Sequence, residues 1–156
     1  MFLENTIKCK KVFGDSVYVS SDSKKILDQA IKVGAIPILR GENLCGDTPN
    51  IPVYQHALKV MPDDVQGIVA VQANSPTIDI EIIKEIKKLM EEGKKEVMTM
   101  HEDGTIYGSV WAISKNKLLN YGDPYKPQPE IKILDTSVDI HNQEDYNMVI
   151  KQSYGK

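Results

Sequence analysis

The chain has 156 residues, a mass of 17.5 kDa and a formal net charge of −3. This length is typical of one domain with its own core, and we expect a single domain over residues 1–156. A content of 41% apolar residues excludes wholesale disorder. The slight excess of acidic residues argues against a dedicated nucleic-acid-binding protein, whose affinity depends on a positive surface.

The sequence also bears on the cellular compartment. The longest largely apolar stretch, residues 33–39, is far shorter than the ~20 residues that cross a bilayer. No basic-then-apolar secretory segment opens the chain. Cys9 and Cys45 have no metal-binding spacing, so we expect two free thiols and a cytoplasmic protein with no membrane partner.

Hydrophobic periodicity predicts helices and strands in alternation along the chain. In the first half we expect helices over residues 3–12, 24–33 and 53–61, strands over residues 16–20 and 36–39, and a loop over residues 40–52. In the second half we expect a buried strand over residues 67–72, a turn over 73–77, helices over 78–92, 115–121 and 142–152, strands over 96–100, 106–113 and 131–134, and an irregular connection over 123–130.

This order predicts an α/β fold with a mostly parallel sheet. In such sheets ligands bind beyond the carboxyl ends of the strands. Polar segments that directly follow strands are therefore the candidate sites, and four qualify: residues 20–22, 40–50, 72–77 and 139–141.

The segment RGENLCGDTPN follows the strand over residues 36–39. Its Arg40, Asp47, Thr48 and Asn50 could hydrogen-bond a nucleobase and its ribose, and arginine can also stack on a base or pair with an anion. The alternative is an ordinary loop in which Asp47 or Asn50 caps the next helix.

The segment QANSPT follows the most apolar predicted strand. Gln72 is expected at the carboxyl end of that strand, with Asn74 and Ser75 exposed in the turn, where uncharged groups suit sugar hydroxyls. The alternative is that Ser75 or Thr77 caps the helix expected near Ile78.

Alternation in SVDIH places Asp139 and His141 on the same face of an extended segment. A carboxylate at a strand end can hold Mg²⁺, which prefers oxygen ligands, whereas imidazole suits Zn²⁺ better. Asp139 could instead be a cap or a surface carboxylate, and His141 a surface residue. We expect His56 to be a packed histidine within a helix. No residues near His101 in the sequence complete a catalytic or metal-binding motif with it.

Six segments together resemble the cytidylyltransferases that activate acidic sugars, with acylneuraminate cytidylyltransferases the nearest type. They are VYVSSDSKKI, VGAIPILRGENLCGDT, HAL, AVQANSP, GSVWAI and VDIHNQEDY, in that order along the chain. The resemblance spans residues 3–149.

The resemblance implies a Rossmann-like nucleotidyltransferase fold, a three-layer sandwich, and transfer of CMP from CTP to an acidic sugar with release of pyrophosphate. By analogy, the nucleotide-binding residues would be Ser21, Asp22, Arg40, Asp47, Thr48 and Asn50. Gln72, Asn74 and Ser75 would contact the sugar or the base. Asp139 would be the catalytic residue and would hold Mg²⁺, with His141 as a second candidate ligand.

The chain departs from the family pattern in three respects. The family's first strand and its Gly-rich basic loop have no counterpart after Met1, so the fold would be amino-terminally truncated. The paired aspartates of the last motif correspond to Asp139 and His141. The family's dimerisation insertion is cut to HEDGTIY.

Three hypotheses follow. The chain is an acidic-sugar cytidylyltransferase, with its amino-terminal segment encoded upstream or supplied in trans, and it could form a homodimer. Alternatively it is a non-catalytic nucleotide-sugar-binding module or partner subunit derived from that family. A third hypothesis is a related enzyme that uses another nucleotide or a neutral sugar.

Overall fold

The computed structural model describes residues 3–137 and 142–154. The described helices are α1 (Leu3–Phe13), α2 (Lys24–Lys32), α3 (Asn50–Val60), α4 (Ile80–Glu91), α5 (Lys115–Leu119) and α6 (Gln143–Tyr154). The described strands are β1 (Tyr18–Ser21), β2 (Ile36–Leu39), β3 (Gly67–Val71), β4 (Glu96–Met100), β5 (Ile106–Ser114) and β6 (Ile131–Leu134). None of the described helices is long and apolar enough to cross a membrane.

The predicted order of helices and strands is confirmed, and β2, β4 and β6 have the predicted bounds. The largest difference concerns α3, which begins at Asn50 rather than at residue 53. Pro52 lies in the first turn of this helix, where a backbone N–H has no intrahelical partner, so proline is tolerated there.

The strands form two sheets. In the first, β1 and β2 pair in parallel. The second has the order β3-β5-β4-β6, in which β4 and β6 are parallel and β5 is antiparallel to β3 and β4. The fold is therefore mixed α/β, and β5 departs from the expected parallel order. Residues 101–105 are too few for a parallel crossover, which needs a dozen or more residues, so β5 returns as a hairpin.

The four-stranded sheet has an apolar cluster on each face. On one face, α3 and α5 cover side chains of the sheet that include Ile68 and Trp111. On the other face, α1 and α4 cover alternate side chains, including Val69 and Val110. The two-stranded sheet has its own cluster under α2, to which α1 contributes Cys9 and Phe13.

One expectation about burial is wrong. The run GIVAV predicts a strand buried on both faces, but Val69, Ala70 and Val71 are only half-buried. The most buried strands are β4 and β5, which lie between other strands. Among the described strands β3 pairs with β5 alone, and this edge position explains its exposure.

Candidate functional site

The polar groups that follow the strands form two clusters. The first cluster lies at the carboxyl ends of β1 and β2, where the backbone N–H of Arg40 donates to the carbonyl of Ser21 at 3.0 Å. The second lies at the carboxyl ends of β3, β4 and β6. Because ligands of α/β folds bind at this edge of a sheet, these clusters are the candidate site.

Ser21 is buried at the end of β1. Its Oγ accepts a hydrogen bond of 3.1 Å from the backbone N–H of Ser23, so the hydroxyl shapes the turn into α2. Ser23 in turn caps α2 through the N–H of Ile26. Asp22 lies between these two serines and is exposed, so it is the group in this turn that can meet a ligand.

Arg40 is half-buried, and its Nε has no hydrogen-bond partner among the described residues. Cys45 lies beside it, with its Sγ 3.1 Å from the carbonyl of Gly41. Partial burial and the nearby Asp22 carboxylate raise the pKa of the Cys45 thiol. Asp22 and Arg40 therefore both lie near the Cys45 thiol. The Cys9 and Cys45 thiols are both free, as expected.

The other candidate residues of this loop differ in their contacts and exposure. Thr48 donates from Oγ1 to the carbonyl of Cys45 at 3.0 Å and so closes the loop. Asp47 and Asn50 are exposed. Neither caps α3, because the cap residue is Pro49, which offers no side-chain hydrogen bond. The capping interpretation of Asp47 and Asn50 is therefore wrong, and both side chains face solvent.

Gln72 stands at the carboxyl end of β3, as expected, but its side chain already has a partner. Its Nε2 donates to the hydroxyl of Tyr54 at 3.1 Å. Tyr54 is buried in α3, and burial raises the pKa of its phenol. Gln72 thus links β3 to α3, which is a structural role that the sequence did not indicate.

Ser75 was expected to be exposed, and it is fully buried. Its hydroxyl shares a hydrogen bond of 2.6 Å with the hydroxyl of Tyr107. The cap of α4 is Asp79, whose Oδ1 accepts from the N–H of Glu81, so capping by Ser75 or Thr77 is also wrong. The turn is drawn inward because Asn5 of α1 binds the carbonyls of Gln72 and Ser75. Asn74, between them, remains half-buried.

His101 and Asp135 belong to the second cluster, and the sequence analysis did not identify them as candidate site residues. His101 stacks on Tyr107, with ring centroids 4.2 Å apart and planes at 14°. It lines an open cleft of about 390 Å³ together with residues at the ends of β4 and β6, namely Glu102, Asp103, Asp135, Thr136 and Ser137. Both His101 and Asp135 directly follow strands that were correctly predicted, so the same rule would have found them.

Asp135 is 2% exposed, and its carboxylate is surrounded by donors. It accepts hydrogen bonds from the hydroxyl of Ser109 and from the N–H and hydroxyl of Ser137, the last two at 2.9 and 2.5 Å. Ser109 is itself 2.7 Å from the hydroxyl of Thr99. This buried network holds the chain segment that follows β6 against β5.

The predicted catalytic and metal-binding pair, Asp139 and His141, lies outside the described residues, shortly after Ser137 in the chain. Within residues 3–137 and 142–154, no three histidine, cysteine or carboxylate side chains are grouped closely enough to hold a metal ion. His56 is half-buried in α3, which agrees with the expectation of a packed histidine.

The comparisons with known proteins identify structures with a similar fold, but they do not assign the chain to a family. No family model matches the chain, and no curated protein matches it. The fold is similar to the crystal structure of Rv0371c from Mycobacterium tuberculosis H37Rv, with a TM-score of 0.71, 13% identity, and coverage of 96% of this chain and 82% of that one. A manganese complex of Rv0371c has a TM-score of 0.68 at 12% identity, covering 96% of this chain and 85% of that one. The crystal structure of an Rv0371c homologue from Mycobacterium sp. strain JC1 has a TM-score of 0.72 at 15% identity, covering 97% of this chain and 81% of that one.

Proposed function

We propose that this domain is a nucleotidyltransferase with a Rossmann-like three-layer fold, which transfers CMP from CTP to an acidic sugar. The hydroxyl of the sugar would attack the α-phosphorus of CTP, forming a new P–O bond. The bond from the α-phosphorus to the bridging oxygen would break, and pyrophosphate would leave. The proton of the hydroxyl would pass to a base or to water.

The observation that carries the proposal is the first cluster. Arg40 combines a half-buried guanidinium with an Nε that has no partner among the described residues. An arginine in this state retains donors for a base or a phosphate. The exposed Asp22 lies near it and suits a ribose hydroxyl or the amino group of a base. Both residues belong to segments that resemble the cytidylyltransferases.

A divalent cation fits the proposal, because a cation would neutralise the phosphates of CTP. Mg²⁺ is commonly held by one or two carboxylates together with waters and substrate phosphates, so it needs no group of three protein ligands. The cleft of the second cluster offers the exposed carboxylates of Glu102 and Asp103, and Asp139 remains the expected ligand from the resemblance. The similar fold of Rv0371c, which has been crystallised with manganese, supports a divalent cation in a protein of this architecture.

The decisive measurement is pyrophosphate release from CTP and Mg²⁺ with a panel of 2-keto acid sugars. We expect release with at least one of them, and replacement of CTP by ATP or GTP should abolish it. Asp139→Ala should remove the activity, and Glu144→Ala serves as a control carboxylate in the first turn of α6. Release that survives Asp139→Ala would refute the metal assignment. Release with another nucleotide, or with neutral sugars only, would favour the third hypothesis.

A second candidate is a non-catalytic nucleotide-sugar-binding module or partner subunit. Two of the three expected sugar-binding residues favour it, because the side chains of Gln72 and Ser75 are already hydrogen-bonded to Tyr54 and Tyr107. Titration calorimetry separates the two candidates. Binding of CTP or CMP without any pyrophosphate release would support the module, and the absence of both would refute both.

A further inference from the structure

Tyr54 of α3 contacts one of the candidate site residues. Its hydroxyl accepts a hydrogen bond of 3.1 Å from Nε2 of Gln72. Tyr54 is 8% exposed, whereas Gln72 is half-buried and follows the carboxyl end of β3. The bond therefore connects a buried side chain of the core to a side chain at the edge of the sheet where ligands of α/β folds bind.

The bond to Tyr54 uses only part of the hydrogen-bonding capacity of the Gln72 side chain. A carboxamide has two N–H donors and an oxygen with two lone pairs. Among the described residues, Tyr54 is the one hydrogen-bond partner of this side chain. One donor and the oxygen of Gln72 therefore remain for a ligand, and a sugar hydroxyl can pair with either of them because it both donates and accepts.

The ring of Tyr54 is itself held in place by the core. It meets the ring of Trp111 edge to face, with centroids 5.8 Å apart and planes at 83°. The indole N–H of Trp111 donates to Glu96 at 2.9 Å. Glu96 is fully buried and lies 2.7 Å from Nζ of Lys117. Each of these contacts orients the next, so the hydroxyl of Tyr54 has a defined position.

This support restricts a side chain that would otherwise move. A glutamine side chain has several rotatable bonds and loses much conformational freedom when it is ordered. The hydrogen bond to Tyr54 orders the Gln72 side chain when the protein folds, before a ligand binds. A binding group that is ordered in advance by the residues behind it loses less entropy on binding, so its contact with the ligand contributes more to affinity.

We infer that Tyr54 is a positioning residue, which acts through Gln72 on the binding of the acceptor sugar. The hydroxyl of Tyr54 fixes the carboxamide of Gln72, and the remaining donor and oxygen of that carboxamide bind a hydroxyl group of the sugar. This inference rests on the proposed function, in which Gln72 contacts the sugar. It adds a residue of the buried core to those that determine affinity for the sugar.

Nuclear magnetic resonance of the full chain tests the positioning without any ligand. Tyr54→Phe keeps the ring that packs against Trp111 and removes the hydroxyl. We expect the order parameter of the Gln72 side-chain amide to fall below about 0.6, the range of flexible groups. Tyr121→Phe is the matched control, because it also removes a hydroxyl from a ring that meets Trp111 edge to face. An unchanged order parameter in Tyr54→Phe would overturn the inference, whatever the activity of the protein.

Steady-state kinetics of pyrophosphate release test the effect on the sugar, with the 2-keto acid sugar of the panel that the wild type consumes. We expect Tyr54→Phe to raise KM for the sugar about 2- to 10-fold, as for loss of one neutral hydrogen bond, and to leave KM for CTP unchanged. A general structural loss would not separate the two substrates. Tyr121→Phe should change neither KM. An unchanged KM for the sugar, or an equal rise in both values, would contradict the positioning role.

A double-mutant cycle shows whether Tyr54 acts through Gln72. In a Gln72→Ala background, Tyr54→Phe should have no further effect on KM for the sugar, because the group that it positions is absent. Additive effects of the two substitutions would show that Tyr54 acts by another route and would refute the inference. If the wild type releases no pyrophosphate with any sugar, the proposed function fails and the inference fails with it. If the wild type is active and Tyr54→Phe matches it, the inference alone fails.

Discussion

The side-chain amide of Asn5 donates a hydrogen bond of 2.7 Å to the backbone carbonyl of Gln72, although 67 residues separate them in the chain. The same amide reaches the carbonyl of Ser75 at 3.0 Å. Asn5 is 4% exposed, so this polar contact is made within the core. It fixes the start of α1 to the carboxyl end of β3 and positions the turn that carries Asn74.

Asn5→Ala should lower the free energy of unfolding by about 1–3 kcal/mol, because the buried carbonyl of Ser75 and the half-buried carbonyl of Gln72 lose a donor. Asn120→Ala is the matched control, since Asn120 is exposed and binds a carbonyl within its own helical turn. Its expected effect is below about 0.5 kcal/mol. Urea unfolding monitored by circular dichroism measures both, and equal effects would refute a special role for Asn5.

Glu96→Ala should be more damaging. Glu96 is fully buried at the start of β4 and accepts hydrogen bonds from the indole of Trp111 and the hydroxyl of Tyr121. Its second oxygen is 2.7 Å from Nζ of Lys117. Glu96→Ala leaves the indole N–H of Trp111 and the hydroxyl of Tyr121 without their acceptor, at about 1–3 kcal/mol for each group.

The exposed pair of Glu81 and Lys84 provides the control for Glu96. Glu81→Ala removes an ion pair at the helix surface, and we expect a loss below about 1 kcal/mol. The same urea experiment compares the two variants. A loss below about 1 kcal/mol for Glu96→Ala would mean that the packing around Trp111 relaxes without cost.

Alkaline pH should destabilise the protein in part through Cys9. Burial raises the pKa of the Cys9 thiol from 9.0 to about 11. The unfolded chain therefore loses this proton at lower pH than the folded one, and stability falls as pH rises from 9.0 to about 11. The thiol contributes roughly 2–3 kcal/mol to this fall.

Cys9→Ala isolates the contribution of this thiol. Tyrosines also ionise in the alkaline range, but their effect is common to the wild type and the variant. We expect the difference in stability between the two proteins to shift in favour of the variant as pH rises above 9.0. A difference that does not change with pH would show that Cys9 does not titrate in this window.

Arg40→Ala should weaken binding of CTP in the presence of Mg²⁺ by about 10- to 150-fold, which corresponds to loss of a charge-assisted hydrogen bond of about 1.5–3 kcal/mol. Arg40→Lys should recover only part of this loss, because lysine cannot form a planar fork. Lys59→Ala, at an exposed position of α3, controls for the change in net charge. Unchanged calorimetric affinity in Arg40→Ala would remove Arg40 from the proposed site.

The residues that form local structure were largely predictable. The apolar face of α4, with Ile83 and Ile86 fully buried, repeats at the period of a helix. The short apolar strand β2 is bounded by Gly34 and by the polar loop after Arg40. These signals arise from neighbouring residues in the chain, so one sequence suffices to detect them.

The placement of the site residues depended on contacts between distant segments. Ser75 is a typical turn residue, but it is buried where Asn5, 70 residues away, binds its carbonyl and where its hydroxyl meets Tyr107. The partial exposure of β3 was also not predictable from the sequence, because an apolar run does not show how many strands will flank it.

The sequence by itself determined the α/β class, the order of helices and strands, and the polar segments that follow the strands, because side-chain periodicity and turn chemistry are local properties. Only the tertiary structure decided which strands flank β3, that Gln72 and Ser75 are engaged by Tyr54 and Tyr107, and that His101 and Asp135 share a cleft. Those relationships follow from which strands and helices pack together, and packing joins residues that no local pattern connects.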